Sequence, residues 1–204
     1  MQQENPYAPT AVSLSERDHA GTSVASHGEL VYAGFWRRFG AFWIDALIFL
    51  PVMAIAYILS EKTRFFYAYW FIPSLALGLF FHVYLVTRFG GTPGKLALNT
   101  RIALVDGSAV TAKAAFIRHA VQFVLSTLTS VALVLGSMAM TDDRYFSLGY
   151  VARVQEITAN APFWYATVTL LTQLWIWSEF VSMLFNKKRR AIHDFMAGTV
   201  VVRK

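Results

Sequence analysis

Four apolar runs, at 39–60, 66–87, 118–140 and 163–185, restrict the fold of this 204-residue chain more than any other feature. Each is long enough to cross the roughly 30 Å hydrocarbon core of a bilayer as a helix. Within lipid every backbone N–H and C=O must be satisfied inside the segment, so runs of this length commit the chain to a helical bundle. Composition agrees: 56% of the residues are hydrophobic and 15% are charged, against about 25% charged in soluble domains. Pro51 and Pro73 fall inside the first two runs and predict kinks whose freed carbonyls are met by neighbouring helices or water. Aromatic residues gather at the run ends, at Trp36, Tyr67, Tyr69, Trp70, Phe163, Trp164 and Tyr165, as interface anchors do.

Basic residues set the orientation. With both termini inside, 14 of the 18 Lys and Arg fall on the cytoplasmic side, leaving Lys62, Arg64, Arg144 and Arg153 outside; the positive-inside bias therefore places both termini in the cytoplasm. Residues 1–30 are polar, carry no basic segment followed by an apolar one, and read as a largely disordered cytoplasmic tail rather than a signal peptide. The membrane domain is expected over 31–204, with a cytoplasmic loop at 88–117 and a cytoplasmic segment at 186–204. Lys187-Lys-Arg-Arg190 follows the fourth run and reads as a stop signal that attracts anionic lipid head groups at about 1 kcal/mol per charge.

In the loop at 88–117, Asp106-Gly107 sits between two β-rich runs and predicts a hairpin. Val200-Val-Val202 supplies a further strand that would pair with it and cover its edge. Lys113 to Arg118 reads as a short helix leading into the third span, while 141–162 has no clear pattern. The expected architecture is an α-helical membrane protein: a bundle of four transmembrane helices with a small cytoplasmic β element, a hairpin plus a C-terminal strand.

Ionisable residues within the runs share one depth. Asp45 lies seven residues from Arg38, Glu179 seven from Asn186, His82 six from Arg88, and Gln122 four from Arg118, all roughly 6–11 Å from the cytoplasmic ends. A carboxylate at a span centre costs about 2.5–3.5 kcal/mol and less near the ends, so it needs a partner, water or a proton. Arg38, about two turns from Asp45 on nearly the same face, is one candidate partner, with Arg37 beside it the other. One reading makes the layer a cytoplasm-facing vestibule in which Asp45 and Glu179 bind a cation or proton beside a titrating His82. The other makes these groups locks that hold the helices in register. Asp194 could cap a helix or turn, or return to the membrane surface to pair with Arg38 or Arg118.

Several chemistries find no support. The absence of Cys removes disulfides, thiolate metal sites and thiol catalysis. Gly91-Thr-Pro-Gly-Lys95 lacks the spacing of a phosphate loop, and His19, His27, His82, His119 and His193 have no metal-ligand spacing. No nucleophile and base constellation appears, so no enzyme and no cofactor is expected. The net charge of +6 is explained by residues bordering apolar spans rather than by nucleic acid.

Three motifs in order carry a resemblance: Gly34 to Asp45, with Arg38 seven residues before Asp45; Gly91-Thr-Pro-Gly-Lys-Leu-Ala-Leu with Arg101-Ile; and Lys187-Lys-Arg-Arg-Ala-Ile-His-Asp-Phe-Met-Ala-Gly-Thr-Val-Val-Val. Together they resemble the RDD family of bacterial membrane proteins, over roughly Tyr32 to Val202. The family's arginine and two aspartates would correspond to Arg38, Asp45 and Asp194. The resemblance implies residence in the bacterial inner membrane and a transport-related role for a small solute or cation, with Na⁺ or proton coupling proposed for some members. Arg38, Asp45, Asp194, Glu179 and His82 are the expected binding residues. Four spans are few for an alternating-access machine, which makes a homo-oligomer the natural remedy. The alternative is a non-catalytic assembly or regulatory partner that docks another protein or anionic lipid through its basic cytoplasmic face.

Overall fold

A computed structural model describes residues 30–186 and 188–204. The tail expected at 1–30 thus lies outside the described residues save for Leu30, as does Lys187 of the basic run. Helix α1, Phe35–Ser60, is 26 residues long and contains Pro51. Helix α2, Phe66–Leu79, runs through a π-helical turn, Phe80–Tyr84, into α3, Leu85–Phe89. The second apolar run is therefore one helical path that goes on two residues beyond the expected end at 87. It stops at Gly90, whose φ of +79° is open to glycine and whose N–H bonds Val86 O at 2.9 Å.

A short helix α4, Pro93–Ala97, leads to strand β1, Thr100–Leu104. Helix α5, Ala112–Met138, starts on Thr111, whose Oγ1 accepts from Ala114 N at 3.2 Å. Lys113 to Arg118 is thus its first part, not a separate helix. The unpatterned stretch at 141–162 holds two helices, α6 (Asp142–Ser147) and α7 (Tyr150–Ala159). Helix α8, Tyr165–Leu184, a short helix α9, Ile192–Ala197, and strand β2, Thr199–Arg203, complete the order.

The sheet is antiparallel β1–β2, with Ile102 opposite Val201. The C-terminal strand therefore pairs with the loop as expected, but the second arm of the hairpin does not form a strand. Asp106 Oδ1 instead accepts from Ser108 N at 2.9 Å and from its hydroxyl, an Asx turn, and pairing on that side is the single bridge Ala103–Ala109. A bridge from Tyr32 to Val202 lies on the other side of β2. Thr199 to Val202 are fully buried, and Val201 packs with Ala33, Val86, Ile102, Val110, Ala114 and Ala115. This core ties the segment leading into α1, the start of α3 and the start of α5 to one end of the bundle.

At the opposite end Met140, Tyr145 and Ile157 form a second core. Buried Arg153 donates to Ser60 O at 3.2 Å and to both oxygens of Glu61 at 2.8 and 3.0 Å, with its guanidinium 4.6 Å from the Tyr145 ring centroid. A Cβ on Gly136 would stand 2.2 Å from Ile157 O, so glycine lets α5 and α7 pack backbone to backbone.

Between the two ends the outer helix faces carry exposed Leu47, Met53, Ile55, Ile72, Val124 and Leu174. Apolar surface of that extent suits lipid, not water. Among the described residues, three helical paths are long and apolar enough to cross a membrane: Phe35–Ser60, Phe66–Ala97 and Ala112–Met138. Helix α8, which fills the fourth expected run, has 20 residues and interrupts its apolar sequence with Gln173 and Glu179; it is not among the three.

Candidate functional site

Asp194 is the most enclosed charge in the structure, with no exposed surface. It sits in the first turn of α9, where its Oδ2 accepts from Ala191 N at 2.9 Å and so satisfies a free N–H at the helix start. Oδ2 also accepts from Arg38 Nη2 at 2.7 Å, while Oδ1 accepts from Arg118 Nη1 and, at 3.0 Å, from Thr199 Oγ1. Arg38 Nη1 donates further to Arg189 O at 2.9 Å and contacts Met183 Sδ. Arg190 closes the group, donating to Asp194 O at 3.0 Å and Thr199 O at 3.1 Å. One carboxylate between two guanidiniums thus joins α1, α5, α9 and β2. Of the two partners read from the sequence, Asp194 takes both.

Asp45 does not pair with Arg38, contrary to expectation. Its Oδ2 accepts from Thr92 Oγ1 at 2.6 Å and its Oδ1 from Gly94 N at 2.7 Å. The reason lies in α4. Pro93 at its first position has no N–H, and Thr92 does not cap it, so Gly94 N is the first donor left over. Asp45 supplies that cap from another helix, at an end where the helix dipole favours negative charge. The contact is close: a Cβ on Gly94 would fall 2.2 Å from Ala41 O and 2.8 Å from Asp45 Oδ1.

Above these two clusters lies a cavity of about 380 Å³. Arg38, Asp45, Glu179 and His82 all line it, so four of the five residues expected from sequence converge there; Asp194 stands behind Arg38 rather than in the wall. Lys95, Arg118, His119, Gln122 and His193 are among its other polar lining residues, and Phe42, Phe49, Phe81, Ile176 and Phe180 among the apolar ones. The π-helical turn carries His82, whose ring stacks on His119 with centroids 4.5 Å apart and planes 18° from parallel. His193 Nδ1 bonds Glu179 Oε1, and its Nε2 is buried without a hydrogen-bond partner, 3.8 Å from Asp194 Oδ1. Burial, and next the positive charge of Arg118, push the His193 imidazole down to about 4 against the opposing pull of Glu179, so it is neutral at pH 7. Among the described residues no three His, Asp or Glu side chains converge as a metal site.

Lys95, His119 and His193 were not foreseen. Lys95 stands in a motif read first as a failed phosphate loop, and the two histidines become neighbours of His82 and Glu179 only through packing. The signal that was available is positional, since His119 adjoins Arg118 and His193 adjoins Asp194.

Comparison with known proteins shows that the model of the RDD family fits residues 32–198. No curated protein and no solved structure matches.

Proposed function

Because the chain belongs to the RDD family and three of its helical paths are apolar enough to cross a bilayer, we propose that this membrane protein transports a small solute or forms the solute-binding part of a transporter. The observation that carries the reading is the cavity. Its volume of about 380 Å³ falls in the range of small-molecule sites, and it lies where α1, the second helical path, α5 and α8 all turn polar groups inward. In this reading α8 is a fourth span, the protein resides in the bacterial inner membrane, and the sheet end faces the cytoplasm, as the distribution of basic residues favours. The Glu179–His193 pair is the group positioned to exchange a proton with the cavity, and a homo-oligomer supplies the mass that four spans lack for alternating access.

The test is flux in liposomes that contain the purified chain, with organic acids, amines, sugars, Na⁺, K⁺ and protons offered in turn, beside Glu179→Gln of the same oligomeric state. Solute movement by the parent that falls at least tenfold in the variant supports the reading. No movement of any of these by folded parent protein refutes it.

A second reading rests on the two aspartates. Asp45 and Asp194 have both oxygens engaged in joining segments of the chain, which is how locks behave in an assembly partner that docks protein or anionic lipid through its basic face. It predicts a protein without flux that co-purifies with a partner in stoichiometric amount.

A further inference from the structure

The polar wall of the cavity is not balanced charge by charge. Arg38 and Arg118 share one carboxylate, Asp194. Asp45 has both oxygens on Thr92 and Gly94, and Glu179 holds His193. Lys95 is different. Among the described residues its Nζ makes one hydrogen bond, to Thr92 Oγ1 at 3.4 Å, the long limit for such a bond. Among the described residues no carboxylate oxygen lies within ion-pair distance of it. An ammonium carries three donor protons, so most of its capacity is unused among the described residues. His82, His119 and Gln122 share the cavity and, among the described residues, none of their side chains makes a hydrogen bond within the chain.

A withdrawn ammonium loses hydration worth several kcal/mol unless something replaces it. The wall holds two carboxylates, Asp45 and Glu179, beside the cations Arg38, Arg118 and Lys95. Those carboxylates are engaged within the chain, and the two guanidiniums share Asp194. What is left to meet a ligand is the Lys95 ammonium with the polar His82, His119 and Gln122, and its donors suit an oxyanion rather than a second cation. The remaining wall is aromatic and aliphatic, from Phe42, Phe49, Phe81, Ile176 and Phe180.

We propose that the cavity is an oxyanion site, in which Lys95 holds the carboxylate or phosphate group of a small organic acid and the aromatic wall holds its apolar body. This rests on the reading of the cavity as a solute site and names the class of solute. Lys95 makes the charged hydrogen bonds, the His82–His119 stack and Gln122 close the polar side, and Asp45 positions Lys95 by fixing α4.

The experiment uses the full chain and leaves its sequence unchanged in the first arm. Lys95 is acylated with a membrane-permeant amine reagent in nanodiscs, and its rate of modification is followed by mass spectrometry with benzoate, inorganic phosphate, NaCl or no addition. Discs of phosphatidylcholine alone are compared with discs containing phosphatidylglycerol, which separates a free anion from a lipid head group. Protection of about tenfold or more is expected from benzoate or phosphate, the size of one charge-assisted hydrogen bond. In the second arm Lys95→Gln lowers benzoate affinity by about tenfold and Lys95→Arg restores it in part.

Protection by Na⁺ instead, no protection by benzoate, phosphate or phosphatidylglycerol, or unchanged affinity in folded Lys95→Gln overturns the proposal. The two readings fail separately. Benzoate protection without flux of any solute leaves the anion site standing and removes transport, whereas Na⁺ or proton flux without protection by any anion does the reverse.

Discussion

Replacing Gly94 with alanine tests whether Asp45 is a structural cap. The backbone dihedrals of Gly94 are not the obstacle, since it is absent from the glycines with positive φ. Space is. The added Cβ would stand 2.2 Å from Ala41 O and 2.8 Å from Asp45 Oδ1, whereas ordinary contact begins at about 3.4 Å, so α4 must retreat from α1 by about 1 Å. That movement takes the 2.7 Å bond from Gly94 N to Asp45 out of range. Overpacking costs about 1–3 kcal/mol and a hydrogen bond to a charged group about 1.5–3 kcal/mol. Retreat relieves some of the first as it incurs the second, giving about 3–4 kcal/mol, a large share of the 5–15 kcal/mol that holds a typical domain. Equilibrium unfolding in mixed micelles would measure it beside Asp45→Asn and the double variant. Both changes act on one contact, so their effects should fall short of additivity by about 1–2 kcal/mol. Stability within about 0.5 kcal/mol of the parent for Gly94→Ala, or strict additivity, would refute the cap.

Three further outcomes follow from the same geometry. Asp194→Asn leaves two buried guanidiniums without their shared anion and should cost about 3–5 kcal/mol, read as a fall in thermal midpoint; an exposed-site value below about 1 kcal/mol would contradict the burial. Burial holds the His193 pKa near 4, below its unfolded value of 6.5, so the folded state binds fewer protons across that interval. The neutral imidazole's contribution is therefore complete above pH 6.5 and lost as pH falls toward 4, on the order of 3 kcal/mol; the difference in midpoint between parent and His193→Gln should change between pH 7 and pH 4, and a flat difference would count against it. At the other end, Arg153→Met should cost about 1–3 kcal/mol by removing the charged partner of Glu61 and one donor to the Ser60 carbonyl, which keeps the Tyr145 hydroxyl at 2.9 Å, while a fully stable variant would show that this cluster contributes little.

Length and hydropathy made the long helices legible, because a run of 20 apolar residues has few solutions in lipid. The pairing of β2 with β1 was also readable from β-rich runs that needed a partner. Partner choice was not. Arg38 and Asp45 stand on nearly one face of one helix, and sequence spacing joined them; α4 won Asp45 because its proline start left a donor free, and Asp194 reached Arg38 from 156 residues away. The helices of 141–162 escaped because they are short, and are held by contacts such as Arg153 with Glu61. Four of the five expected cavity residues did converge, since depth in a membrane is a coordinate that can be counted along a helix. Lys95 lies beyond the apolar run expected at 66–87, where that count gives nothing.

The order of the chain gives the Asp194 cluster a meaning in time. Arg38 lies in the first turn of α1 and Arg118 in the second turn of α5, but the aspartate that joins them follows α8. During synthesis each guanidinium is therefore an uncompensated charge while its helix enters the bilayer, when a cation at the helix end resists translocation. Asp194 arrives afterwards, with β2 and its partners, and the same charges pass from steering insertion to closing the finished bundle. A ribosome-bound chain halted before Asp194 would carry its helices in place and its sheet end open.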